Sequence, residues 1–404
     1  MTEEERGPGP LAGIRVLDAG QVVAGPMVAT LLGDFGAEVI KVERPGAGDP
    51  YRTFSLRKDG VPIGWKVLSR NKKSITLDLS NPRGAELFRG LAARADVVVQ
   101  SFRPSTTARW GIGYDELSAA NPGLVVVLVS GFGQTGPYRE RPGFGSLAEA
   151  MSGFAQMTGQ PDGPPTLPPF TLADSVAALY GAFGVMVCLR HRDGDGDGAG
   201  QCIDLDLLQP LFSILGPLAT LYDQLGVAPE RMGNRIPTSA PRNVYETGDG
   251  EWVMISGSVQ RVAERLFHAI DAPELAEDPR FATNEARVAN VEELDAIIGD
   301  WVRARTRDEA MEVLLRHDVA AGPVMGIREL MDDPHLAARD AIPTVEDPEL
   351  GPLRMQGVLP SLSLTPGAIE SAGPTLGEHN EEVYGHVLGI DAQELGRLRE
   401  AGVI

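Results

Sequence analysis

The first half of the chain alternates short runs of β-branched and aliphatic residues with longer segments in which apolar residues recur at helical spacing. This alternation is typical of βαβ units, so it predicts an α/β fold with a parallel sheet. Strands are expected at residues 14–18, 38–43, 74–79, 96–99, 125–129 and 201–207, and helices near residues 27–35, 83–95 and 147–158.

The pattern changes in the second half of the chain. A strand is expected at Glu251–Ser256, and three amphipathic helices follow near residues 259–270, 291–304 and 307–317. This predicts a second, smaller α/β domain over residues 225–340. A proline-rich segment over residues 344–366 then leads to a helical region at residues 377–402.

A proline-rich loop over residues 163–169 leads into an apolar helix whose first carboxylate is Asp174. No charged residue follows until Arg190, which predicts a helix buried in the core. Asp174 has two interpretations. As an N-cap, its side chain would accept hydrogen bonds from the free N–H groups of the first turn. As a nucleophile, it would be kept ionised by the helix dipole and would form a covalent acyl intermediate.

The composition narrows the range of partners. The formal net charge is −20 at pH 7, which disfavours binding to nucleic acid or to an anionic membrane surface. The N-terminus has no basic and apolar leader segment, and no run of 18 apolar residues is found. We therefore expect a soluble, cytoplasmic protein without a membrane partner.

Arginine positions point to a ligand, whereas several familiar site patterns are absent. Gly20 and Gly25 do not complete a G-x-G-x-x-G turn, the histidines lack metal-ligand spacing, and no G-x-S-x-G occurs. Arg44 follows the second expected strand, and Arg103 and Arg109 follow the fourth. Because ligands of parallel α/β folds bind at the carboxyl ends of strands, these guanidinium groups together predict a polyphosphate ligand.

A series of short motifs runs along the chain in a fixed order. The motifs are Pro10–Asp18 with Val23–Pro26, Gly36–Pro45, Asn71–Leu79, Phe102–Pro104, Gly131–Pro137, Asp278–Phe281, Gly322–Val324 and Leu376–His379. Together and in order they resemble the family III CoA-transferases, which include formyl-CoA:oxalate and carnitine CoA-transferases. The resemblance covers nearly the whole chain, from Pro10 to Ile404.

The resemblance implies a catalytic role for Asp174, because the family nucleophile is an aspartate in the context occupied here by Leu172–Asp174. It implies CoA transfer between carboxylic acids through a mixed anhydride and an aspartyl-CoA thioester. CoA or acyl-CoA is then a substrate, a small carboxylic acid is the other, and neither a tightly bound cofactor nor a metal is expected. The CoA contacts that the resemblance implies are Val23, Ala24, Arg44, Leu77, Ser80, Ser101, Phe102, Arg103, Arg109, Ser130 and Gly131.

Two alternatives stay open. α-Methylacyl-CoA racemases share the fold and the aspartate, but they use a histidine as a second acid or base, and Phe144 stands at its aligned position here. Glu149 is a candidate substitute, although we expect that carboxylate on a helix surface. The other alternative is a non-catalytic protein that binds CoA or NAD.

The architecture implied by the resemblance is a Rossmann-like large domain, with its parallel sheet built from both chain ends, and a smaller α/β middle domain. A disordered tail over residues 1–10 precedes the first part of the large domain, residues 11–224, and a connector and C-terminal part over residues 341–404 follow the small domain. Family members form interlocked homodimers. A homodimer is therefore expected, with each active site between the large domain of one chain and the small domain of its partner.

The substrate acid is not defined by these motifs. Arg235 and Arg242 lie roughly where oxalate-specific members have a glycine-rich loop over the site. Either guanidinium could bind a second carboxylate, which makes a dicarboxylate such as succinate a reasonable hypothesis. Both could equally pair with carboxylates of this acidic protein.

Overall fold

The computed structural model describes residues 9–194 and 196–404. Contacts divide the chain into two compact units. The first contains residues up to 154, 167–217 and 337–404, and the second contains residues 155–166 and 218–336. Most of the predicted tail, residues 1–8, lies outside the described residues. The domain boundaries expected from the sequence stay a prediction, and nothing in the sequence pattern assigns residues 155–166 to the second unit.

The first unit is built on a sheet of six parallel strands, which confirms the predicted α/β fold class. Its strands are β1 (Arg15–Ala19), β2 (Glu38–Glu43), β5 (Lys72–Thr76), β6 (Val97–Gln100), β7 (Val125–Ser130) and β8 (Cys202–Asp206). Their order across the sheet is β5-β2-β1-β6-β7-β8. The order reverses between β1 and β6, and a crevice for ligands forms at such a switch point.

Four further strands of the described first unit form two short antiparallel pairs, β3 (Arg57–Lys58) with β4 (Val61–Pro62) and β12 (Thr344–Asp347) with β13 (Gly351–Arg354). The prediction that both chain ends build the parallel sheet is wrong, because all six of its strands lie between Arg15 and Asp206 and the C-terminal segment adds none. It contributes helices instead, because Tyr384 and Leu398 are buried in the core on one face of that sheet.

The helices are α1 (Ala24–Gly33), α2 (Tyr51–Phe54), α3 (Ile63–Leu68), α4 (Pro82–Ala92), α5 (Pro104–Trp110), α6 (Tyr114–Ala120), α7 (Gly145–Met151), α8 (Phe154–Met157), α9 (Leu172–Asp193), α10 (Leu208–Ser213), α11 (Leu218–Leu225), α12 (Gln260–Ala269), α13 (Asn284–Ala289), α14 (Val291–Arg303), α15 (Arg307–Arg316), α16 (Ile327–Met331), α17 (Pro334–Ala338), α18 (Asn380–Leu388) and α19 (Ala392–Glu400). The single helix predicted near residues 147–158 is wrong. It is divided into α7 and α8 at Gly153, whose φ of 95° does not fit a helix.

Alternating residues of the buried strands belong to two separate hydrophobic cores, one on each face of the sheet. Val16 packs with α1 and α9 on one face of the sheet, and Leu17 packs with α4, α18 and α19 on the other. The valine-rich strands β6 and β7 are almost entirely buried, as expected of parallel strands covered on both faces. Hydrophobic burial on both sides therefore fixes the sheet and the positions of its carboxyl ends.

The long helix α9 differs from the fully buried helix that its composition predicts. Ala177, Gly181 and Val185 are buried against the sheet side, but Leu179 and Phe183 are 56% and 68% exposed. Among the described residues, α9 is the one helix long and apolar enough to cross a membrane, and 44% of its apolar window is buried inside the molecule. A buried helix of a soluble protein passes the same test, so this is weak evidence for a membrane span, and a cytoplasmic location stays a prediction.

The second unit contains an antiparallel sheet in the order β11-β10-β9, formed by β9 (Arg242–Glu246), β10 (Trp252–Ser256) and β11 (Ala321–Pro323). The predicted strand at residues 251–256 and the three amphipathic helices correspond to β10, α12, α14 and α15. Phe267, Phe281 and Ile298 lie at the centre of its own hydrophobic core. A capping box between Thr306 and Glu309 begins α15.

Candidate functional site

The candidate site lies at the switch point of the six-stranded sheet. The turn after β1, residues 20–23, meets the segment after β6, where the Gln21 N–H donates to Ser101 Oγ at 2.6 Å. Val23 and Ala24 are buried at the start of α1. Within the described part of the chain, the N–H groups of Val23 and Ala24 have no acceptor. They can therefore donate to an oxygen of a bound molecule.

A cavity of about 270 Å³ adjoins this turn. Four of the residues expected to contact CoA line it, namely Arg44, Leu77, Ser80 and Phe102. The other lining residues are Ala19, Gln21, Val42, Glu43, Gly48, Asp49, Asp78, Leu79 and Trp110. Sequence reasoning missed Trp110, whose ring meets Phe102 edge to face with centroids 5.1 Å apart. The cavity thus offers aromatic and aliphatic surface with polar groups around it.

Arg44, Arg103 and Arg109 are exposed, and none has a carboxylate partner among the residues that the structure describes. Arg103 is the N-cap residue of α5, and Arg109 lies in its last turn. All three guanidinium groups lie near the carboxyl ends of β2 and β6. They are available to bind phosphate by charge-assisted hydrogen bonds.

Asp174 is the third residue of α9 and is not its N-cap. The N-cap residue is Thr171, whose side chain makes no capping hydrogen bond. The N-cap interpretation of Asp174 is therefore wrong, although its carboxylate does interact with its own backbone N–H. Desolvation by burial and the negative charge of Glu149 raise the pKa of Asp174 to about 6. These two effects outweigh the interactions that favour ionisation, but a carboxylate with this pKa is still mostly ionised at pH 7.

Glu149 lies in the interior, not on the helix surface as expected. It is 3% exposed, and its Oε1 accepts a hydrogen bond from the Ala173 N–H at 3.2 Å. This bond satisfies one of the free N–H groups in the first turn of α9. A second carboxylate thus caps the helix that carries Asp174, and its charge raises the pKa of Asp174.

Gly145, at the start of α7, packs against the Asp174 carboxylate. A Cβ at residue 145 would lie 2.0 Å from Asp174 Oδ2, closer than any real contact. Only glycine fits here without moving the carboxylate. The preceding residue, Phe144, is 61% exposed and supplies no acid or base at the position where racemases have histidine.

The remaining predicted residues occupy separate places. Ser130 Oγ accepts the Gly133 N–H at 3.0 Å, and Gly131 packs closely on the backbone of Gly143. In the second unit, Arg235 Nε is paired with Asp295 Oδ2 at 2.7 Å, and Arg242 donates to the Asn234 carbonyl oxygen at 2.6 Å. Arg235 therefore already has a carboxylate of the protein. Binding of a substrate carboxylate by either arginine stays a prediction.

Comparisons with known proteins agree with these features. The profile described as CoA-transferase family III matches residues 11–380. Succinyl-CoA–D-citramalate CoA-transferase of Chloroflexus aurantiacus is 44% identical over 401 residues, which cover 99% of each chain. The succinyl-CoA–L-malate CoA-transferase beta subunit of the same organism is 42% identical, over 98% of each chain. The crystal structure of a CaiB/BaiF family protein from Brucella suis matches with a TM-score of 0.83 and 33% identity, covering 94% of this chain and 100% of that one.

Proposed function

The chain belongs to CoA-transferase family III and is a CoA-transferase, and from this premise we propose that Asp174 transfers CoA from succinyl-CoA to a second dicarboxylic acid by covalent catalysis. The observation that carries the proposal is the Asp174 carboxylate, largely buried at the start of α9 with a pKa of about 6. Such a carboxylate is mostly ionised at neutral pH, and it is more basic and therefore more nucleophilic than an ordinary aspartate.

The reaction proceeds through two kinds of acyl-enzyme. An Asp174 oxygen attacks the donor thioester carbonyl, the C–S bond breaks, and a mixed anhydride and a CoA thiolate result. The thiolate then attacks the Asp174 carbonyl of the anhydride, which releases the donor acid and leaves an aspartyl-CoA thioester. The acceptor carboxylate attacks this thioester to form a second anhydride and thiolate. Attack of the thiolate on the acceptor carbonyl yields the new acyl-CoA and frees Asp174.

Each tetrahedral intermediate carries an oxyanion that needs hydrogen-bond donors. The free N–H groups of Val23 and Ala24 at the start of α1 are suited to this, because they are fixed by the helix and lie in a buried region. Burial around Asp174 also limits access of water, which would otherwise hydrolyse the anhydride.

The CoA nucleotide is placed in the cavity beside Phe102 and Trp110. The aromatic and aliphatic walls suit the flat apolar face of the adenine ring, and the unpaired Arg44, Arg103 and Arg109 suit its phosphates. Ser101 contacts the turn that carries Val23, since its hydroxyl accepts the N–H of Gln21, which lines the cavity. Ser130, the last residue of β7, and Gly131 after it are proposed to contact the pantetheine chain, as the family resemblance implies.

The substrate acids follow from the relatives. Two proteins that match along almost the entire chain at 44% and 42% identity are named for succinyl-CoA as donor and for D-citramalate or L-malate as acceptor. We assign succinyl-CoA as the donor here, and a four- or five-carbon dicarboxylic acid with a hydroxyl group as the acceptor.

The active unit is proposed to be an interlocked homodimer. The exposed side chains of α9 lie on one face, because Leu179, Phe183, Met186 and Val187 follow a helical spacing. A contiguous apolar face on a protein surface marks an interaction site. A second copy of the chain is the occupant that the family resemblance implies.

Intact-mass spectrometry tests the proposal. Protein is mixed with succinyl-CoA, quenched in acid, and digested to locate any adduct, with Asp174→Ala as the matched control. We expect a mass increase that maps to Asp174 and is lost in the variant. Addition of L-malate or D-citramalate should discharge the adduct and form the corresponding acyl-CoA, whereas acetate should not.

Other outcomes identify the alternatives. Exchange of the α-proton of a branched acyl-CoA into deuterated water without any adduct would indicate a racemase. Tight binding of CoA with neither adduct nor exchange would indicate a binding protein and would contradict the proposal. Discharge by monocarboxylates as fast as by dicarboxylates would overturn the substrate assignment alone.

A further inference from the structure

The turn after β1 contains a strained backbone. Val22 has a φ of 64°, in the left-handed region that β-branched residues rarely adopt. A conformation of this kind persists only where the surroundings hold it. Val22 directly precedes Val23 and Ala24. The N–H groups of these two residues are proposed to donate hydrogen bonds to the oxyanion that forms at the thioester carbonyl.

A set of four buried charged side chains surrounds this turn, and we name it the turn network: Asp18, Lys41, Asp49 and Lys72. Lys41 Nζ lies 2.9 Å from Asp49 Oδ2 and 3.8 Å from Asp18 Oδ1, and Lys72 Nζ lies 2.9 Å from Asp18 Oδ2. The side chains are at most 1% exposed. Two positive and two negative charges balance, as groups buried this deeply require.

The turn network bonds to the backbone of the turn at successive points. Asp49 Oδ1 accepts the Val22 N–H at 3.1 Å, and Asp18 Oδ1 accepts the Gly20 N–H at 2.9 Å. Lys41 Nζ donates to the Gly20 carbonyl oxygen, and Lys72 Nζ donates to the Pro26 carbonyl oxygen at 2.7 Å. The bonds from Lys41 in β2, Lys72 in β5 and Asp49 in the loop after β2 reach across the fold, whereas Asp18 in β1 bonds locally. The Pro26 acceptor lies in the first turn of α1.

We propose that Lys41 and Asp49 are positioning residues of the transferase, which hold Val22 in its left-handed conformation and so aim the N–H groups of Val23 and Ala24 at the acyl thioester. The inference rests on the proposed function. Neither residue needs to touch the reacting atoms. A one-ångström displacement of the donors would lower the rate of acyl transfer about 100-fold, because catalysis depends on their placement.

The decisive comparison uses two double variants that differ only in whether the side chain at residue 49 can accept a hydrogen bond. Lys41→Met/Asp49→Asn and Lys41→Met/Asp49→Leu both remove the buried ion pair and leave Asp18 paired with Lys72, so neither buries an unbalanced charge. The asparagine oxygen can still accept the Val22 N–H, whereas leucine cannot. We expect formation of the Asp174 adduct from succinyl-CoA to be about 100-fold slower with leucine than with asparagine.

A matched control shows whether loss of any buried ion pair has this effect. Lys66 Nζ and Asp347 Oδ2 form a pair of similar burial at 2.8 Å in the same unit, away from the turn. Lys66→Met/Asp347→Leu should form the adduct at the wild-type rate once its thermal unfolding shows a folded protein. Binding of free CoA is measured alongside by calorimetry. Because Asp49 also lines the cavity proposed for CoA, the rates are compared at succinyl-CoA concentrations that saturate each variant, chosen from these affinities.

Val22 provides a second test that does not disturb the core. Val22→Gly should keep the rate within about three-fold, because glycine adopts a positive φ freely. Val22→Pro, with φ fixed near −65° and no N–H, should lose about 100-fold. Equal rates for the asparagine and leucine variants, or for glycine and proline at residue 22, would overturn the inference. Absence of any adduct on the wild-type protein would overturn the proposed function itself, and the inference with it.

Discussion

At the scale of single residues, the two carboxylates of Asp174 and Glu149 have different roles set by their surroundings. Glu149 is buried but is held by the Ala173 N–H, whereas Asp174 has no side-chain donor among the described residues and a raised pKa. A carboxylate that is poorly solvated and only weakly hydrogen-bonded is costly in the folded state, and the same property makes it reactive. The effect of this carboxylate on stability and its effect on reactivity can be measured separately.

Asp174→Asn should stabilise the folded protein at pH 7.5 and should abolish adduct formation. A folded-state pKa raised to about 6 means that stability falls as pH rises from about 4 to 6, because the unfolded chain loses its proton first. The full penalty, about 3 kcal/mol at most, is present above pH 6 and absent below pH 4. Thermal melts at pH 7.5 and pH 4 measure it. An equal gain at both pH values would contradict this assignment.

Glu149→Gln should shift the acid limb of the pH–rate profile to lower pH. The activity requires ionised Asp174, so kcat/KM should rise with pH through an apparent pKa of about 6 in the wild-type protein. Glutamine keeps an oxygen to accept the Ala173 N–H but removes the negative charge that disfavours ionisation of Asp174. An acid limb unchanged in the variant would show that burial alone raises the pKa of Asp174.

At the scale of elements, the start of α7 packs closely against the start of α9 because Gly145 has no side chain. Gly145→Ala should lower the rate of adduct formation about 100-fold, because the new methyl group would displace the Asp174 carboxylate. Stability should fall as well, and it should recover when Asp174→Ala removes the clash. A double-mutant cycle of Gly145→Ala and Asp174→Ala, measured by denaturant unfolding, should give a coupling free energy of at least about 1 kcal/mol. A coupling of this size would identify the direct contact.

Gly396 is the matched control for this substitution. It lies in α19 with no atom near its would-be Cβ. Gly396→Ala should therefore leave the rate unchanged and stabilise the protein by about 0.5–1 kcal/mol, because alanine is the better helix former. A similar loss of rate for both alanine variants would mean that the effect of Gly145→Ala is not local.

At the scale of the whole molecule, a strongly acidic chain holds a site for an anionic substrate. The net charge of −20 repels anions at long range, but that field is screened beyond about 8–10 Å at physiological salt, whereas direct contacts with arginine are not. In the proposed binding mode, the unpaired Arg44, Arg103 and Arg109 provide those contacts. Self-repulsion of the acidic surface also opposes association, so a homodimer needs an apolar interface to offset it.

Phe183→Glu should weaken assembly of the proposed homodimer, so that more of the protein is monomeric after refolding at low concentration. Phe183 is 68% exposed on the apolar face of α9, and burial of its ring against a second copy would contribute about 2 kcal/mol, or about 30-fold in the dissociation constant. Light scattering coupled to size exclusion measures the mass of the particle. Leu315→Glu, at a residue 58% exposed on α15, is the control and should stay dimeric. A wild-type protein that is monomeric at all concentrations would rule out the homodimer.

The sequence by itself determined the parallel α/β fold and singled out Asp174, because both depend on local patterns: strand and helix periodicity, and one carboxylate after a proline-rich loop. Of the cavity-lining residues, Arg44 followed from its position at a strand end, and Leu77, Ser80 and Phe102 followed only from the resemblance to the family. Only the tertiary structure decided the burial of Glu149, the close contact of Gly145 with Asp174, and the exposed face of α9. Each of these depends on contacts between segments distant in sequence, and burial of a side chain is a property of its neighbours, which a local pattern does not contain.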